Sequence, residues 1–295
     1  MSAVQWSRDQ AKIVGDLAAE LAAVPGVVAV AVGGSRARGR ARDDSDVDLG
    51  VYYADASPFA TADVRAVAAR WNDVPEPVVS DLYAWGPYVN GGAWLTVRGE
   101  RVDLLYRSVE RLAEAIADGE AGRHTVHHGQ QPPFGFWSGT LLGELAICAP
   151  LHDAAGRLAA LKRRVAAYPE PLRRAVVSDM LWGVEFGLRA FAPKSVAAGD
   201  AYGAAGCFAR FAHQLVLALF ALNRAWLVND KTALAEIAEL PLAPADFAER
   251  VRGALGAIGT SRAELEASAG RFDALFRETA ALAGGLYTSR WQLPS

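Results

Sequence analysis

The stretch GGSRARGRARDDSDVDLGV, residues 33–51, follows a short apolar segment and ends in two aspartates separated by one residue. The preceding run VVAVAV, residues 27–32, is continuous and rich in valine, which predicts a strand covered on both faces. In DVDLGVYY, residues 46–53, charged and apolar residues alternate, so Asp46 and Asp48 should share one face of a second strand. The stretch therefore predicts a glycine-rich turn and a carboxylate pair at the two ends of one connection.

The glycine-rich turn is typical of a phosphate site. Gly33 and Gly34 allow a bound group to approach the backbone closely, and a helix start with the Ser35 hydroxyl supplies donors. The neighbouring aspartates repel each other unless a cation lies between them, and Mg²⁺ prefers carboxylate oxygens combined with substrate phosphates. Asp103, between apolar residues of a later predicted strand, adds a third carboxylate. Together these residues can hold two Mg²⁺ ions and a nucleoside triphosphate such as ATP.

The same residues resemble the signature of the polymerase-β-like nucleotidyltransferase superfamily. In that signature a Gly-Ser pair, here Gly34 and Ser35, is followed after ten residues by Asp-hydrophobic-Asp-hydrophobic, here DVDL from Asp46. The variant GSRARG…SDVDL is similar to stand-alone bacterial members, including aminoglycoside-type antibiotic nucleotidyltransferases. The resemblance implies that Gly34 and Ser35 bind the β- and γ-phosphates and that Asp46 and Asp48 bind both metals. It implies that Asp103 binds the catalytic metal or takes the acceptor's proton.

The hydrophobic pattern predicts an α/β (α+β) domain with a mixed, twisted sheet of about five strands, followed by an all-helical domain. The predicted boundaries are 1–125 for the nucleotidyltransferase domain and 138–295 for a helical domain that binds the acceptor and closes over it. Ser7 should cap the first helix. A Gly-, Pro- and His-rich linker, residues 122–137, should separate the domains.

Polar residues near the turn leave two interpretations open. Arg36 could touch a phosphate, whereas Arg38 could pair with Asp46 or with the Asp43-Asp44 pair to hold the loop. Ser45 could cap or orient the first aspartate and thereby support nucleotide binding.

Two residues of the helical half are further candidates. Glu185, in an apolar helix, could act as general base for a hydroxyl, or it could form an ordinary ion pair with Arg189. Glu144 and Glu76 are weaker rivals for the base. Lys231 could reach the triphosphate.

Three aromatic residues cluster around the predicted hairpin at 93–107: Trp85, Tyr88 and Trp94. Packing in the core is the ordinary explanation for such residues. Alternatively, one of them could stack on a base or a sugar ring.

Composition narrows the class of partner. The net charge is −3, and residues 1–140 carry 13 Lys/Arg against 18 Asp/Glu, so the basic excess needed to follow a long nucleic acid is lacking. The two cysteines, Cys148 and Cys207, lack metal-ligand spacing and indicate reduced thiols. No signal peptide or membrane-spanning run is apparent, which predicts a cytoplasmic protein.

The implied activity is Mg²⁺-dependent transfer of a nucleoside monophosphate, AMP from ATP, to a hydroxyl of a small acceptor with release of pyrophosphate. The acidic N-terminal half favours a cationic acceptor such as an aminoglycoside antibiotic. The alternative is a regulatory enzyme of the toxin–antitoxin type, which modifies a protein or a tRNA end. A nucleotide-binding module without chemistry is a third possibility. The oligomeric state is left open.

Overall fold

The computed structural model of this chain describes residues 8–42 and 44–291. Ser7, a predicted helix cap, and Asp43, a predicted partner of Arg38, lie outside these residues. The chain divides into two compact units. The first holds the residues up to Asp118 together with Thr125–Ala167, and the second holds Gly119–His124 and the residues from Tyr168 onward.

The first unit is built on a mixed sheet. The strands are Val27–Val32 (β1), Val47–Tyr53 (β2), Val78–Val79 (β3), Gly92–Val97 (β4), Glu100–Ser108 (β5), Val126–His127 (β6), Phe136–Trp137 (β7) and Ala149–His152 (β8). Six of them form one sheet in the order β3-β4-β5-β2-β1-β8, and β6 and β7 form a separate pair. In the large sheet β2 and β5 run parallel, and the other neighbours are antiparallel.

The helices of the first unit lie around this sheet. They are Arg8–Ala22 (α1), Gly34–Ala37 (α2), Thr61–Trp71 (α3), Val109–Glu120 (α4), Gly139–Ile147 (α5) and Arg157–Arg164 (α6), of which α4 extends into the second unit. One face of the sheet packs on α1 and α3 and forms the apolar core. Every second residue of β2 and β5 points into this core, among them Leu49 and Leu104. The residues between them therefore point to the opposite face, which carries the site described below.

The predicted fold class, an α/β domain followed by a helical region, is confirmed. The sheet has six strands rather than about five, because β8 pairs with the edge of β1. The apolar stretch PVVSDLY, residues 77–83, predicts a further strand, which is reduced to β3 because the chain turns around Tyr83, a residue with positive φ. The predicted linker contains the β6–β7 pair, and residues 125–167 belong to the first compact unit. The functional boundary at 125/138 stays a prediction.

The second unit is helical. Its helices are Glu170–Phe186 (α7), Ala192–Ala198 (α8), Ala201–Leu222 (α9), Asp230–Ile237 (α10), Phe247–Gly256 (α11) and Arg262–Ala283 (α12). The other five all contact α9, which is buried along most of its length. The spacing of Ser261 and Glu264 in the sequence predicts a capping box, and this capping box is present at the start of α12.

The apolar periodicity of the sequence predicts helices over residues 203–228 and 171–191, and one end of each differs in the structure. The helix expected at 203–228 ends at Leu222, because the Asn223 side chain donates to the carbonyls of Leu219 and Leu242. The helix expected at 171–191 passes at Gly187–Phe191 into a π-helical turn that leads to α8.

One helix of the described residues, α9, is long and apolar enough to cross a membrane by length and composition. About 67% of its apolar window is buried inside the fold. The same length and composition are found in the central helix of a helical bundle, so they do not distinguish a membrane span from a core helix.

Candidate active site

Two carboxylates occupy paired positions on parallel strands. Asp48 of β2 is the register partner of Asp103 of β5. Both point away from the core, because their neighbours Leu49 and Leu104 are fully buried in it. The alternation of apolar and acidic residues in the sequence therefore brings two of the three predicted acids side by side on one sheet face.

The third predicted acid, Asp46, lies immediately before β2 and forms an ion pair. Its Oδ1 is 2.6 Å from Arg101 Nε, and Arg101 Nη2 donates to the carbonyl of Asp44 at 2.7 Å. In residues 8–42 and 44–291, no three His, Cys, Asp or Glu side chains form a metal-binding group. The three predicted metal ligands therefore do not form one carboxylate cluster in this structure, because Asp46 is ion-paired with Arg101.

The loop before β2 is held from inside by Arg36. This side chain is only 4% exposed, and its guanidinium donates to the carbonyls of Ser45 at 2.7 Å and Asp46 at 3.3 Å. Arg36 was expected to contact a phosphate and Arg38 to hold the loop, but in the structure it is Arg36 that holds the loop. Through these hydrogen bonds the Arg36 guanidinium positions Asp46, and this role requires no contact with a phosphate.

Ser45 closes the same loop. Its Oγ accepts a hydrogen bond from the Arg42 N–H at 2.9 Å, and its own N–H donates to the Arg42 carbonyl at 3.0 Å. The hydroxyl therefore stabilises the turn that delivers Asp46 to the strand.

The glycine pair lies directly against Asp48. The Gly33 N–H donates to the Asp48 carbonyl at 2.8 Å. Gly34 has φ of +57°, and a Cβ built on it would lie 1.7 Å from Asp48 Oδ2. Only glycine suits this position, because a side chain would both strain the backbone and displace the carboxylate.

Helix α2, which begins at Gly34, is a single turn of four residues. A glycine turn that leads into a helix predicts assistance from the helix dipole, but such a short helix adds little dipole, so this expectation is wrong here. What it offers is the set of first-turn N–H groups around Ser35 that have no acceptor within the helix. A triphosphate oxygen beside Asp48 would be bound by these donors.

The electrostatics of the sheet face centre on Asp48. Burial, followed by the neighbouring carboxylates of Asp103, Glu144 and Asp46, raises the pKa of Asp48 to about 6, while Arg107 opposes the rise. The charged form of the Asp48 carboxylate is therefore disfavoured, because the nearby negative charges outweigh the positive charge of Arg107.

Sequence reasoning missed the ion pair that borders this site. Arg107 of β5 is buried, and its Nε and Nη2 bind both carboxylate oxygens of Glu144 on α5 at 2.8–3.1 Å. Arg107 lies four residues after Asp103 on the same face of the strand, so the period of two could have revealed it. Glu144 had been weighed only as a weak candidate base, and its bidentate partner gives it a structural role.

Glu185, the predicted general base, lies in the second unit and is 2% exposed. Its carboxylate accepts hydrogen bonds from Tyr287 Oη at 2.6 Å, from Ser289 Oγ, and from the N–H groups of Arg290 and Trp291. Burial alone would raise the pKa of Glu185, but these donors outweigh it and lower the pKa. A carboxylate stabilised in its charged form is a poor base, so the environment of Glu185 is that of an anchor for the C-terminal segment.

The alternative assigned to Glu185, an ion pair with Arg189, is also absent from the contacts of this carboxylate. Arg189 Nη2 is instead 2.8 Å from Asp273 of α12. Lys231 is exposed in the first turn of α10, where its N–H donates to the Asn229 side chain. A contact between Lys231 and a triphosphate stays a prediction.

The carboxylates of the sheet face fit a divalent cation. Their oxygens are the ligands that Mg²⁺ prefers, and the raised pKa of Asp48 shows that positive charge at this place would be favourable. The fit requires Asp46 to exchange Arg101 for the cation. Asp46, Asp48 and Asp103 are therefore the residues that would hold the metal.

Comparison with known proteins agrees with this geometry. Residues 12–91 match the family model of the nucleotidyltransferase domain. This part of the first unit is therefore similar to a nucleotidyltransferase domain. The match includes the glycine turn, Asp46 and Asp48, and it ends before Asp103. Residues 141–231 match a domain of unknown function, DUF4037.

Among solved structures, the chain is similar to a nucleotidyltransferase-like protein from Exiguobacterium sibiricum 255-15. The two are 11% identical, with a TM-score of 0.46, and the alignment covers 93% of this chain and 77% of that protein. No curated protein matches the chain. The similarity of residues 12–91 to a nucleotidyltransferase domain favours a nucleoside triphosphate as substrate and transfer of a nucleoside monophosphate.

Proposed function

We propose that this protein is a divalent-metal-dependent nucleotidyltransferase that moves a nucleoside monophosphate to a hydroxyl of a small acceptor and releases pyrophosphate. The observation that carries the proposal is the register pair of Asp48 and Asp103, with Gly34 packed directly on the Asp48 carboxylate. This arrangement puts a place for phosphate oxygens next to two acids on one sheet face. Phosphoryl transfer depends on such positioning and charge stabilisation.

The residues divide the work as follows. The backbone around Gly34 and Ser35 binds the two terminal phosphates, which form the leaving group. Asp46, Asp48 and Asp103 would hold the divalent cation, which when bound neutralises charge on the transferring phosphoryl group and lowers the pKa of the acceptor hydroxyl. Asp103, which lies one strand farther from the glycine turn than Asp48, accepts the proton of that hydroxyl. Arg36 keeps the loop before β2 in place through its hydrogen bonds to the carbonyls of Ser45 and Asp46.

We propose ATP as the donor and a cationic, hydroxyl-bearing small molecule, such as an aminoglycoside antibiotic, as the acceptor, in a cytoplasmic protein. The support for a cationic acceptor is the cluster of four carboxylates formed by Asp48 and its neighbours Asp103, Glu144 and Asp46, with two nearby cations, Arg101 and Arg107. A face of this kind attracts positively charged substrates.

A screen of pyrophosphate release tests the proposal. The protein is incubated with Mg²⁺ and each of the four ribonucleoside triphosphates, alone and with aminoglycosides, lincosamides or cellular tRNA. We expect pyrophosphate release with at least one small acceptor and loss of this release in Asp103→Asn. The control Asp44→Asn, which replaces an exposed aspartate of the loop before β2, should keep the release. Release only with tRNA or with a protein partner would favour the regulatory alternative. Tight binding of the triphosphate without any release would indicate a binding module and contradict the proposal.

A further inference from the structure

A tryptophan pair stands beside the carboxylates. Trp94 of β4 is 53% exposed, although it lies in the middle of a sheet strand. Its ring stacks on Trp85 with 4.6 Å between the centroids and 23° between the planes. Stacking on Trp85 therefore covers one side of Trp94, and about half of this large apolar ring is in contact with solvent.

The register places this ring next to the site. Trp94 is the antiparallel partner of Asp103, so the two side chains stand side by side on the same sheet face. Trp85 covers Gly92, two residues earlier on that face, since a Cβ on Gly92 would lie 3.1 Å from the Trp85 ring. On this face Trp94 therefore lies between Gly92, which Trp85 covers, and Thr96, whose register partner Arg101 is ion-paired with Asp46.

The strand order gives the direction of the reaction. Across the face the features follow as the glycine turn after β1, Asp48 on β2, Asp103 on β5 and Trp94 on β4. In phosphoryl transfer the leaving and attacking oxygens lie roughly in line on opposite sides of the phosphorus. If the terminal phosphates lie at Gly34, the attacking hydroxyl comes from the side of Asp103 and Trp94.

We propose that Trp94, supported by Trp85, is the binding platform for the acceptor, and that the acceptor is an amine-bearing, hydroxylated ring. This inference rests on the proposed function, because it uses the position of the leaving group. The flat ring of Trp94 covers the apolar face of a cyclic molecule, and an ammonium group on that molecule gains from contact with the indole face. An open-chain polyol offers no flat face to stack and binds more weakly.

The positions of Gly34, Asp103 and Trp94 determine which bonds form and break in the proposed reaction. The acceptor oxygen forms a bond to the α-phosphorus, the bond from that phosphorus to the bridging oxygen of pyrophosphate breaks, and the hydroxyl proton passes to Asp103. Trp94 takes part in no bond change. It is a binding residue, so its removal should alter acceptor KM and leave nucleotide KM unchanged.

The test compares glucosamine, a cyclic amine-bearing probe, with its open-chain counterpart glucamine. Wild type, Trp94→Ala, Trp94→Phe and the control Thr96→Val, on the same face of β4, are measured with Mg²⁺ and ATP by pyrophosphate release. Binding of both probes is measured by saturation-transfer NMR with Mg²⁺ and a non-hydrolysable ATP analogue. The NMR arm does not depend on turnover.

We expect wild type to bind glucosamine better than glucamine, and Trp94→Ala to raise the glucosamine KM about tenfold or weaken its binding by a similar factor. Trp94→Phe should keep most of the binding, and no variant should change the ATP KM more than about twofold. Equal binding of the two probes by wild type, or an unchanged glucosamine affinity in Trp94→Ala, overturns the inference. A rise in the ATP KM alone would show a nucleobase platform and also overturns it. Absence of pyrophosphate release from wild type, with ring-selective binding lost in Trp94→Ala, would instead reject the proposed function and leave the platform standing.

Discussion

Replacing Asp48 with asparagine should make the protein more stable at neutral pH while it abolishes nucleotide transfer. Asparagine has nearly the same volume but no charge. The wild-type carboxylate is buried beside Asp103, Glu144 and Asp46, and the positive charge of Arg107 offsets only part of their repulsion. Removing its charge therefore removes an unfavourable interaction of the folded state.

The size of the effect follows from the pKa of Asp48. Because it rises from 3.8 to about 6 on folding, the folded state binds the proton more tightly than the unfolded state. The free energy of unfolding of wild type consequently falls as the pH rises through this interval. The rise corresponds to about 3 kcal/mol as an upper limit, with roughly half of this lost by pH 5 and all of it by pH 8. Asp48→Asn does not have this loss.

The assay is urea unfolding of wild type, Asp48→Asn and the control Asp44→Asn in EDTA at pH 5 and pH 8. The stability advantage of Asp48→Asn over wild type should be larger at pH 8 than at pH 5 by about 1.5 kcal/mol. Asp44→Asn keeps Asp48, so its stability should change between the two pH values as that of wild type does. Adding Mg²⁺ should stabilise wild type and reduce the difference, because a ligand that binds only the folded state stabilises it. An advantage that is absent, or equal at both pH values, would refute the reasoning.

Three further predictions concern the loop and the C-terminal anchor. Gly34→Ala should fold but lose at least about 100-fold in transfer rate, because the new methyl displaces Asp48, whereas Gly156→Ala, with a similar φ of +65° and open space, should keep its rate. Comparable losses in the two variants would contradict this. Arg101→Gln should lower the Mg²⁺ concentration needed for half-maximal pyrophosphate release by roughly two- to fivefold, because Asp46 no longer has a competing partner. A higher requirement would show that Arg101 supports the site instead. Glu185→Gln should lower the free energy of unfolding by about 1–3 kcal/mol and speed proteolysis of the C-terminal segment, with nucleotide KM unchanged. Normal stability with slow transfer would restore Glu185 as a base.

The sheet and its acids could be predicted because local pattern determines them. A continuous β-branched strand, a glycine turn and an alternating acidic strand each depend on nearby residues, so Gly34, Asp48 and Asp103 could be predicted as neighbours. The edge strand β8 could not be predicted in the same way, because four residues with a proline carry little periodicity.

Long-range partners could not be read from the sequence. Glu185 finds its donors about 100 residues later in the C-terminal segment, whereas the sequence offered Arg189 one turn away. The partner of Arg107 likewise lies on α5, 37 residues later. In both cases burial forces a charged group to find partners, but only the tertiary fold decides which ones.

The central claim is that Asp46, Asp48 and Asp103 jointly hold a divalent cation beside the triphosphate. Crystals grown with Mn²⁺ and a non-hydrolysable nucleoside triphosphate analogue test it directly, since Mn²⁺ is located by its anomalous scattering. The account predicts a Mn²⁺ peak within about 2.0–2.3 Å of oxygens from all three carboxylates, with phosphate oxygens in contact and Asp46 released from Arg101. A peak elsewhere, or Asp46 still paired with Arg101 while the nucleotide is bound, would contradict it.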